Sequence, residues 1–477
     1  MAAAGTSSDA APVNANQLMA WLAADVPQPR LERLVRERGL EGPIAKAQLR
    51  QFEKAGAGKA LLRTLESQKP ARGAFDKTFE ISATLMQAAL AAHAQHYHEA
   101  EMALRTASEA DPANASLHFA LGTMLRQQER WDDAFDQFEL SAQLLPDFPE
   151  NHSSMAYIFY RLEDGPNAIA EARTALSMDP QNAEAYQFLA LGLYANEQYA
   201  AAVHAFLESL QRDPNNADTY YDLGITLHAA GNISGSLDAY QRAIRLNPSF
   251  WQAHSNLAMV FHERGQLADA VREYREAKRL APDEASVRNN LANTYCDGGE
   301  YEAAAVELRQ LYKDHPEWQL GHGCMAQAYM SKKDYDGAVN QLRLAVQQDP
   351  TNSSEHRFLG EALLLNEKLD EATRELRTAV SLDPDSVAGH HALGTALFQQ
   401  QEYAAAEKEF REALRLSASS DNHYSLAACL MSMDRYDEAL TELEAAARLD
   451  PARQLYRARR DELMKLMQTQ AKETNSQ

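Results

Sequence analysis

Large and small side chains recur along most of the chain at a fixed interval of 34 residues. Prolines mark the interval, and we number each repeat so that its proline falls at position 32. Because proline cannot continue a helix, each repeat is predicted to be a helical hairpin whose second helix ends before the proline. The nine equally spaced prolines are Pro112, Pro146, Pro180, Pro214, Pro248, Pro282, Pro316, Pro350 and Pro384.

Two positions of the repeat hold only small residues. Position 8 is always Ala or Gly and position 20 is always Ala or Ser, from Ala88 and Ala100 in the first repeat to Ala427 and Ala439 in the last. We interpret these positions as the crossing point of the two helices, where a larger side chain would force the helices apart. Eleven repeats fit this numbering, starting at residues 81, 115, 149, 183, 217, 251, 285, 319, 353, 387 and 420.

The eleven repeats resemble the tetratricopeptide repeat family over residues 81–453. The resemblance implies an all-α fold, a right-handed α-solenoid of helical hairpins in which the first helix of each hairpin, helix A, lines a concave groove. It also implies that this groove binds an extended peptide or a helix of a partner protein. Runs of β-branched residues bounded by turn residues, which would indicate strands, are missing from the sequence.

The two ends of the chain differ from the repeats. Residues 1–13 are predicted to be disordered, and residues 14–80 are predicted to form a basic helical module with its linker. Four short apolar clusters separated by glycines favour four short helices there. Residues 454–477 are predicted to form a capping helix with a polar outer face, followed by a disordered tail.

The charge is negative overall and unevenly distributed. The formal net charge is −22, whereas residues 29–77 carry 12 Lys or Arg against six Asp or Glu. The negative charge opposes a chain-wide nucleic-acid or membrane-surface binder, because phosphates need a cationic partner. Two hypotheses remain for the module. Its helices bind nucleic acid as a basic head on an acidic solenoid, or they dock on the acidic repeats of the same chain.

Cysteine usage and hydropathy bear on the cellular environment. Cys296, Cys324 and Cys429 have no regular spacing and resemble neither a disulfide framework nor a zinc site, so a reducing, cytoplasmic compartment is expected. The N-terminus lacks the basic and apolar regions of a signal peptide. No stretch approaches the roughly 18 consecutive apolar residues of a membrane span, so no membrane partner is expected.

No motif of an enzyme, a metal site or a cofactor site stands out. Histidines from His118 to His423 recur at position 4 of the repeat, which indicates a structural role, because ligands one hairpin apart are too far separated to share an ion. The repeats look similar to those of the O-linked N-acetylglucosamine transferases, but too few residues lie outside 81–453 for a transferase domain. We therefore expect a protein that is no enzyme and that uses neither a metal nor a cofactor.

The resemblance implies that positions 2, 5, 6, 9, 12 and 13 of helix A face the groove. Exposed aromatic side chains beside arginine and asparagine are typical of interface hot spots. The predicted peptide-binding residues are Arg126, Tyr157, Tyr160, Tyr194, Tyr221, Asn256, Asn289, Asn290, Asn293 and Arg357.

Two interpretations of the asparagines stay open. A side-chain amide both donates and accepts a hydrogen bond, as an extended peptide backbone does, and Asn256 and Asn290 occupy position 6 of consecutive repeats. They therefore either hold a bound peptide, in the manner that the similarity to the asparagine-lined transferase superhelix implies, or bond to neighbouring helices. The leading hypothesis is a scaffold or adaptor that binds a protein or peptide in the groove.

Overall fold

A computed structural model describes residues 11–71, 80–318 and 320–474. These residues form 27 α-helices and only isolated β-bridges, which confirms the all-α class and the arrangement in helical hairpins. The chain packs as two compact units, an N-terminal unit of residues 1–248 and a C-terminal unit of residues 249–477. Each unit consists mainly of consecutive hairpins, because each 34-residue repeat supplies one helix A and one helix B.

The N-terminal unit begins with four short helices and continues with five hairpins. Asn14 starts the first helix with a capping box, since its side chain accepts from the Gln17 backbone and its own backbone N–H donates to the Gln17 side chain. The helices are α1 (Ala15–Ala23), α2 (Gln28–Arg38), α3 (Lys46–Lys54), α4 (Lys59–Ser67), α5 (Ala83–His93), α6 (Tyr97–Ala110), α7 (Ala115–Gln127), α8 (Trp131–Leu144), α9 (Pro149–Arg161), α10 (Gly165–Met178), α11 (Ala183–Ala195), α12 (Tyr199–Arg212), α13 (Ala217–Ala229) and α14 (Ile233–Leu246).

The C-terminal unit contains six hairpins and a long final helix. Tyr456 and Leu463 of that helix are fully buried, and the Tyr456 ring lies 5.3 Å from the Tyr424 ring of the last hairpin. The helices are α15 (Trp251–Glu263), α16 (Leu267–Leu280), α17 (Ala285–Asp297), α18 (Tyr301–Asp314), α19 (His322–Ser331), α20 (Tyr335–Gln348), α21 (Ser353–Leu365), α22 (Leu369–Leu382), α23 (Val387–Gln399), α24 (Tyr403–Leu416), α25 (Ser420–Ser432), α26 (Tyr436–Leu449) and α27 (Gln454–Thr474).

The small residues at positions 8 and 20 form the helix crossing of every hairpin. All eleven residues at position 20, from Ala100 to Ala439, are completely buried. At position 8 a methyl group added to Gly224 would lie 2.6 Å from the Tyr240 ring, so the aromatic residue at position 24 uses the space that glycine leaves. The sequence interpretation of these two positions is therefore correct.

The turn between the two helices of each hairpin uses the left-handed backbone conformation. Position 15 has a positive φ in all eleven repeats, and only Gly231, Gly265 and Gly299 are glycines. The other eight repeats place a side chain such as Glu129 or Glu197 in this conformation, at a cost of about 1 kcal/mol each. The turn thus requires a positive φ at position 15 in every repeat. The residue type at this position does not predict that requirement, because most repeats have no glycine there.

The histidines at position 4 connect the two helices of their own hairpins. In seven repeats the Nδ1 atom lies 2.5–2.9 Å from the Glu or Gln side chain 19 residues later, as in the His254–Glu273 and His390–Glu409 pairs. In three of them Nε2 also lies near the carbonyl oxygen of the preceding repeat's proline, at 3.0 Å for His390. These contacts give the histidines the structural role that their recurrence indicated.

The ends of the chain depart in one respect from the predicted boundaries. The predicted disorder covers residues 1–13, of which residues 1–10 lie outside the described residues. Val13, however, is almost fully buried and exchanges backbone hydrogen bonds with Gly39 and Glu41, so the disordered assignment extends too far. The predicted tail beyond α27 falls on residues 475–477, which are also outside the described residues.

We predict that Ala202→Leu in α12 destabilises the chain by about 1–3 kcal/mol, because a larger side chain overpacks the helix crossing. Ala201→Leu is the matched control, since Ala201 is the preceding residue of the same helix and is exposed. Denaturant unfolding followed by circular dichroism measures both effects. Equal losses of stability at the two positions would show that the repeat numbering is wrong.

Candidate functional site

The predicted binding residues belong to a set of six positions in each helix A. We call the residues at positions 2, 5, 6, 9, 12 and 13 of each helix A the A-helix face. In the N-terminal unit the A helices are α5, α7, α9, α11 and α13, and in the C-terminal unit they are α15, α17, α19, α21, α23 and α25. All ten predicted peptide-binding residues belong to this face by their repeat positions.

The beginning of the A-helix face is covered by the N-terminal module of the same chain. Helix α1 packs against α5 and α7. Trp21 of α1 stacks on Phe148 with ring centres 4.8 Å apart. As a result Phe119 and Thr123, at positions 5 and 9 of α7, are 4% and 1% exposed although the hairpin itself does not need to bury them. This part of the face is therefore closed to a partner while the module is docked.

Arginines of the module pair with acidic residues of the repeats. Arg30 Nε donates to Glu150 at 2.6 Å, and Arg33 donates to Asp179 at 2.9 Å. The Arg30 and Glu150 side chains are only 12% and 3% exposed, so the pair is buried and charge-assisted. Arg38 adds a contact of 3.0 Å to Asp147. Of the two hypotheses for the module, these contacts support docking on the chain's own acidic repeats.

Four predicted tyrosines lie on the open part of this face, on α9, α11 and α13. Tyr157, Tyr160, Tyr194 and Tyr221 are all half-buried. The Tyr157 and Tyr160 ring centres are 6.4 Å apart, and Tyr157 also packs 5.1 Å from Phe188. The structure thus brings the first of the predicted tyrosines together as an aromatic surface on neighbouring A helices.

Arg126 lies at the edge of this aromatic surface. Its guanidinium is 5.4 Å from the centre of the Tyr157 ring and 3.8 Å from the Glu184 carboxylate. Arg126, Gln127, Tyr157, Glu184 and Phe188 line a small cavity between α7, α9 and α11. The predicted arginine and tyrosine therefore share one location with an acidic residue that the sequence analysis did not select.

Two further carboxylates extend the surface onto α13. Asp222 is half-buried and accepts a hydrogen bond of 3.1 Å from Gln187. Burial raises the pKa of Asp222 to about 7, and the neighbouring Asp218 carboxylate also raises it. Burial raises the pKa of the Tyr160 hydroxyl as well, with a contribution from Asp222, which places that carboxylate near the tyrosine. The repeat numbering contained this signal, because Glu150, Glu184 and Asp218 recur at position 2.

We call this open surface the tyrosine–carboxylate patch. It combines aromatic rings and carboxylates on three consecutive A helices of the N-terminal unit. Its members are Tyr157, Tyr160, Glu184, Tyr194, Asp218, Tyr221 and Asp222.

The predicted asparagines lie in the C-terminal unit, and their environments differ. Asn290 and Asn293 of α17 are half-buried, and their side chains form no hydrogen bond with any other described residue. Asn289 is only 7% exposed, and its side-chain oxygen has no partner among the described residues. Asn256 of α15 is half-buried and has a bonding partner. Of the four asparagines, Asn290 and Asn293 are thus the ones that present unused amides on the surface.

A disulfide crosses the same face next to these asparagines. Cys296 of α17 and Cys324 of α19 are bonded, with Cα atoms 5.9 Å apart. The expectation that the cysteines indicate a reducing compartment therefore loses its basis. Their spacing of 28 residues resembles no disulfide framework, but positions 12 and 6 of successive A helices meet when the repeats stack. Cys429 stays a free, buried thiol.

Arg357 is engaged within its own helix. Its guanidinium donates to Glu361 at 2.6 Å and lies 4.1 Å from the centre of the Phe358 ring. The predicted arginine is therefore on the A-helix face of α21 but already has an acidic and an aromatic partner.

No group of three or more His, Cys, Asp and Glu side chains converges as metal ligands would within residues 11–71, 80–318 and 320–474. None of the helices in the described part of the chain combines the length and the apolar character that a membrane span requires.

Comparison with family models matches most of the repeat region. Tetratricopeptide repeat models match residues 85–149, 154–217, 221–285, 285–315 and 329–397. A model of subunit 3 of the anaphase-promoting complex, or cyclosome, matches residues 376–446. No curated protein matches the chain.

Solved structures of helical-repeat proteins also match, at low identity. Yeast Tom70 is 14% identical, with 81% of this chain and 95% of Tom70 covered and a TM-score of 0.34. PilF of Pseudomonas aeruginosa is 19% identical, with 43% and 93% covered and a TM-score of 0.39. YrrB, described as a TPR protein with an unusual peptide-binding site, is 22% identical, with 41% and 97% covered and a TM-score of 0.34.

We predict that Asp222→Asn changes the pH dependence of stability. The raised pKa means that folded Asp222 keeps its proton from about pH 4 to about pH 7, whereas the unfolded chain has released it. The stability of the parent chain therefore falls as the pH rises through this window. At about pH 8 the variant should be more stable than the parent by about 1–3 kcal/mol.

Unfolding of both proteins at about pH 5 and about pH 8 measures this difference. Asp238→Asn is the control, because Asp238 is an exposed carboxylate on helix B of the same hairpin. If Asp222→Asn and Asp238→Asn show the same pH dependence, Asp222 is not the titrating group.

A second prediction concerns the disulfide. Digestion without reduction, after blocking free thiols, should give a linked peptide containing Cys296 and Cys324 in mass spectrometry. Reduction should lower the stability by up to about 3 kcal/mol, because the bond closes a loop of 28 residues. Cys296→Ser should melt at the same temperature with and without reductant. If the melting temperature of the parent chain is also the same with and without reductant, the disulfide is absent.

Proposed function

The chain belongs to the tetratricopeptide repeat family, and on this premise we propose that it is a protein-interaction scaffold that holds a peptide segment of a partner protein on its A helices, without catalysis of its own. The hairpins use their B helices and their helix crossings for packing, which leaves the A-helix face for binding. Function is therefore sought among the side chains of that face.

The observation that carries the proposal is the pair of unused amides on α17. Asn290 and Asn293 are one helical turn apart, half-buried, and without a hydrogen-bond partner among the described residues. Polar groups that folding removes from water normally have a hydrogen-bond partner, either in the protein or in an ordered water molecule. Unused amides on the face that hairpin packing leaves open favour a ligand as the missing partner.

The chemistry of an amide fits an extended main chain. One asparagine side chain donates through its nitrogen and accepts through its oxygen, so it matches the N–H and C=O groups of a peptide in any sequence. Two such side chains on one helix hold a backbone without reading its side chains. In the N-terminal unit the tyrosines, with Arg126 beside them, are groups that select among ligand side chains.

The alternative of a nucleic-acid-binding module gains no support. Arg30, Arg33 and Arg38 of the basic segment are paired with acidic residues of the repeats. A phosphate backbone would have to displace these internal carboxylates before it reached the arginines. The tetratricopeptide repeat matches support a protein-interaction scaffold.

We predict that Asn290→Ala combined with Asn293→Ala weakens peptide binding by about 1–3 kcal/mol, because the lost amides bond directly to the peptide backbone. The probe is a set of peptides selected from a phage-displayed random library on the whole chain, with affinities measured by calorimetry. The helical content and the melting temperature of the variant should match those of the parent.

The matched control is Asn196→Ala combined with Asn215→Ala. Both residues are exposed and lie outside the A-helix face. If the library yields no peptide that binds, or if the control weakens binding as much as the α17 variant, the proposed use of this face is refuted.

A further inference from the structure

We propose that the tyrosine–carboxylate patch of the N-terminal unit receives a cationic segment of a partner protein, with Arg or Lys side chains placed between the tyrosine rings and the carboxylates of α11 and α13. The inference rests on the proposed function and specifies the chemistry of the ligand at this surface. It follows from the charges on the face, from the environment of Asp222 and from an arginine contact within the chain itself.

The chain provides its own example of a cation bound to this row of acidic residues. Glu150, Glu184 and Asp218 all occupy position 2 of successive A helices. The first carries Arg30 of the docked module at 2.6 Å, in a largely buried pair. The Glu150 oxygen that does not contact Arg30 has no hydrogen-bond partner among the described residues. An arginine presented from a helix therefore fits the first position of the row.

The remaining positions of the row have no arginine of the module bound to them. The cation closest to Glu184 is Arg126, at 3.8 Å. Asp218 is exposed and Asp222 is half-buried, and neither forms an ion pair with any described residue. Charge compensation by the chain itself thus weakens from Glu150 to Glu184 and, among the described residues, is missing at Asp218 and Asp222 of α13.

Asp222 strengthens the case because its carboxylate is half-buried and, among the described residues, has one amide as its hydrogen-bond partner. Gln187 donates to it at 3.1 Å, and the charge that acts on it is that of another carboxylate, Asp218. An ionised carboxylate in such a position loses solvation without gaining a counter-charge. The raised pKa of Asp222 is the expected result. A guanidinium or ammonium group from a ligand would supply the missing charge.

The aromatic rings of the patch suit the same ligand group. Cations are attracted to the faces of tyrosine and tryptophan rings. The A-helix face already uses this interaction, since Arg126 lies 5.4 Å from the centre of the Tyr157 ring and Arg161 lies 4.6 Å from the Trp131 ring. Both of these arginines lie at the α7 and α9 edge, whereas the α11 and α13 side of the patch combines Tyr194 and Tyr221 with the acidic groups.

The opposite ligand chemistry does not fit this surface. A polyanion, such as an acidic peptide or a nucleic acid, would bring negative charge against Asp218 and Asp222. Repulsion between the negative charges of such a ligand and these carboxylates would raise the free energy of the complex and slow its formation. Among ligand classes the patch therefore favours a basic peptide segment.

The test measures binding of short fluorescent peptides to the whole chain by anisotropy, at about 0.15 M salt so that long-range attraction is screened. The probes are peptides of four Gly-Arg-Ser, Gly-Gln-Ser or Gly-Glu-Ser units. The arginine peptide should bind more tightly than the glutamine peptide, and the glutamate peptide should bind most weakly.

The variant Asp218→Asn combined with Asp222→Asn should weaken the arginine peptide by about ten-fold. The matched control is Asp136→Asn combined with Glu139→Gln, which changes the net charge equally at two exposed positions of helix α8. The control should change the affinity by less than about two-fold.

Asp218→Lys provides a gain of function that misfolding cannot imitate. Asp218 is exposed, so lysine is accommodated there, and the variant should bind the glutamate peptide better than the parent does. Equal effects of the patch and control variants would show that only the overall negative charge attracts the peptide, and would overturn the proposal.

The proposal is also overturned if the glutamate peptide or a single-stranded oligonucleotide binds the parent chain more tightly than the arginine peptide. Its failure differs from failure of the proposed function. If selected peptides require Asn290 and Asn293 but are not enriched in Arg or Lys and ignore Asp218, the scaffold function stands and only the cationic ligand is wrong.

Discussion

The close approach of two helices at one crossing point in every hairpin is the constraint on which the rest of the structure depends. The residue at position 20 is completely buried in all eleven repeats, and the residue at position 8 is never larger than alanine. A close crossing lets the ring at position 24, such as Tyr240 against Gly224, complete the core within the hairpin. The core of each hairpin is thus formed by residues of its own two helices. One face of helix A remains for other contacts.

The chain uses this spare face in different ways along its length. The N-terminal module covers α5 and α7 with apolar side chains around Trp21 and anchors itself with Arg30 on Glu150. Beyond the module the face of the N-terminal unit displays aromatic and acidic groups. In the C-terminal unit it displays amides beside the Cys296–Cys324 bond. One geometry therefore supports three chemically different surfaces, because only positions 2, 5, 6, 9, 12 and 13 need to change.

The sequence predicts the features that repeat and misses those that do not. The 34-residue period defines the hairpins, the helix crossings and the face on which Tyr157 and Asn290 lie, since each depends only on position within a repeat. The contact of Arg30 with Glu150 joins residues 120 positions apart, and the Cys296–Cys324 bond joins two successive A helices. Both depend on how elements stack in space, which periodicity does not specify. The sequence contains the acidic residues that recur at position 2, but only the contact of Arg30 with Glu150 indicates that this position binds a cation.

The docking of the module has a consequence for the order of events during protein synthesis. Trp21 and its apolar neighbours leave the ribosome before the repeats on which they pack, and Arg33 meets its partner Asp179 only 146 residues later. At a translation rate of about 5–20 residues per second, the module waits on the order of ten seconds for the last of these anchoring contacts. Until α5, α7 and Phe148 have been synthesised, α1 lacks the surface that buries Leu18, Met19 and Trp21 in the folded chain. A nascent chain of this kind is a natural client for chaperones that bind apolar segments at the ribosome.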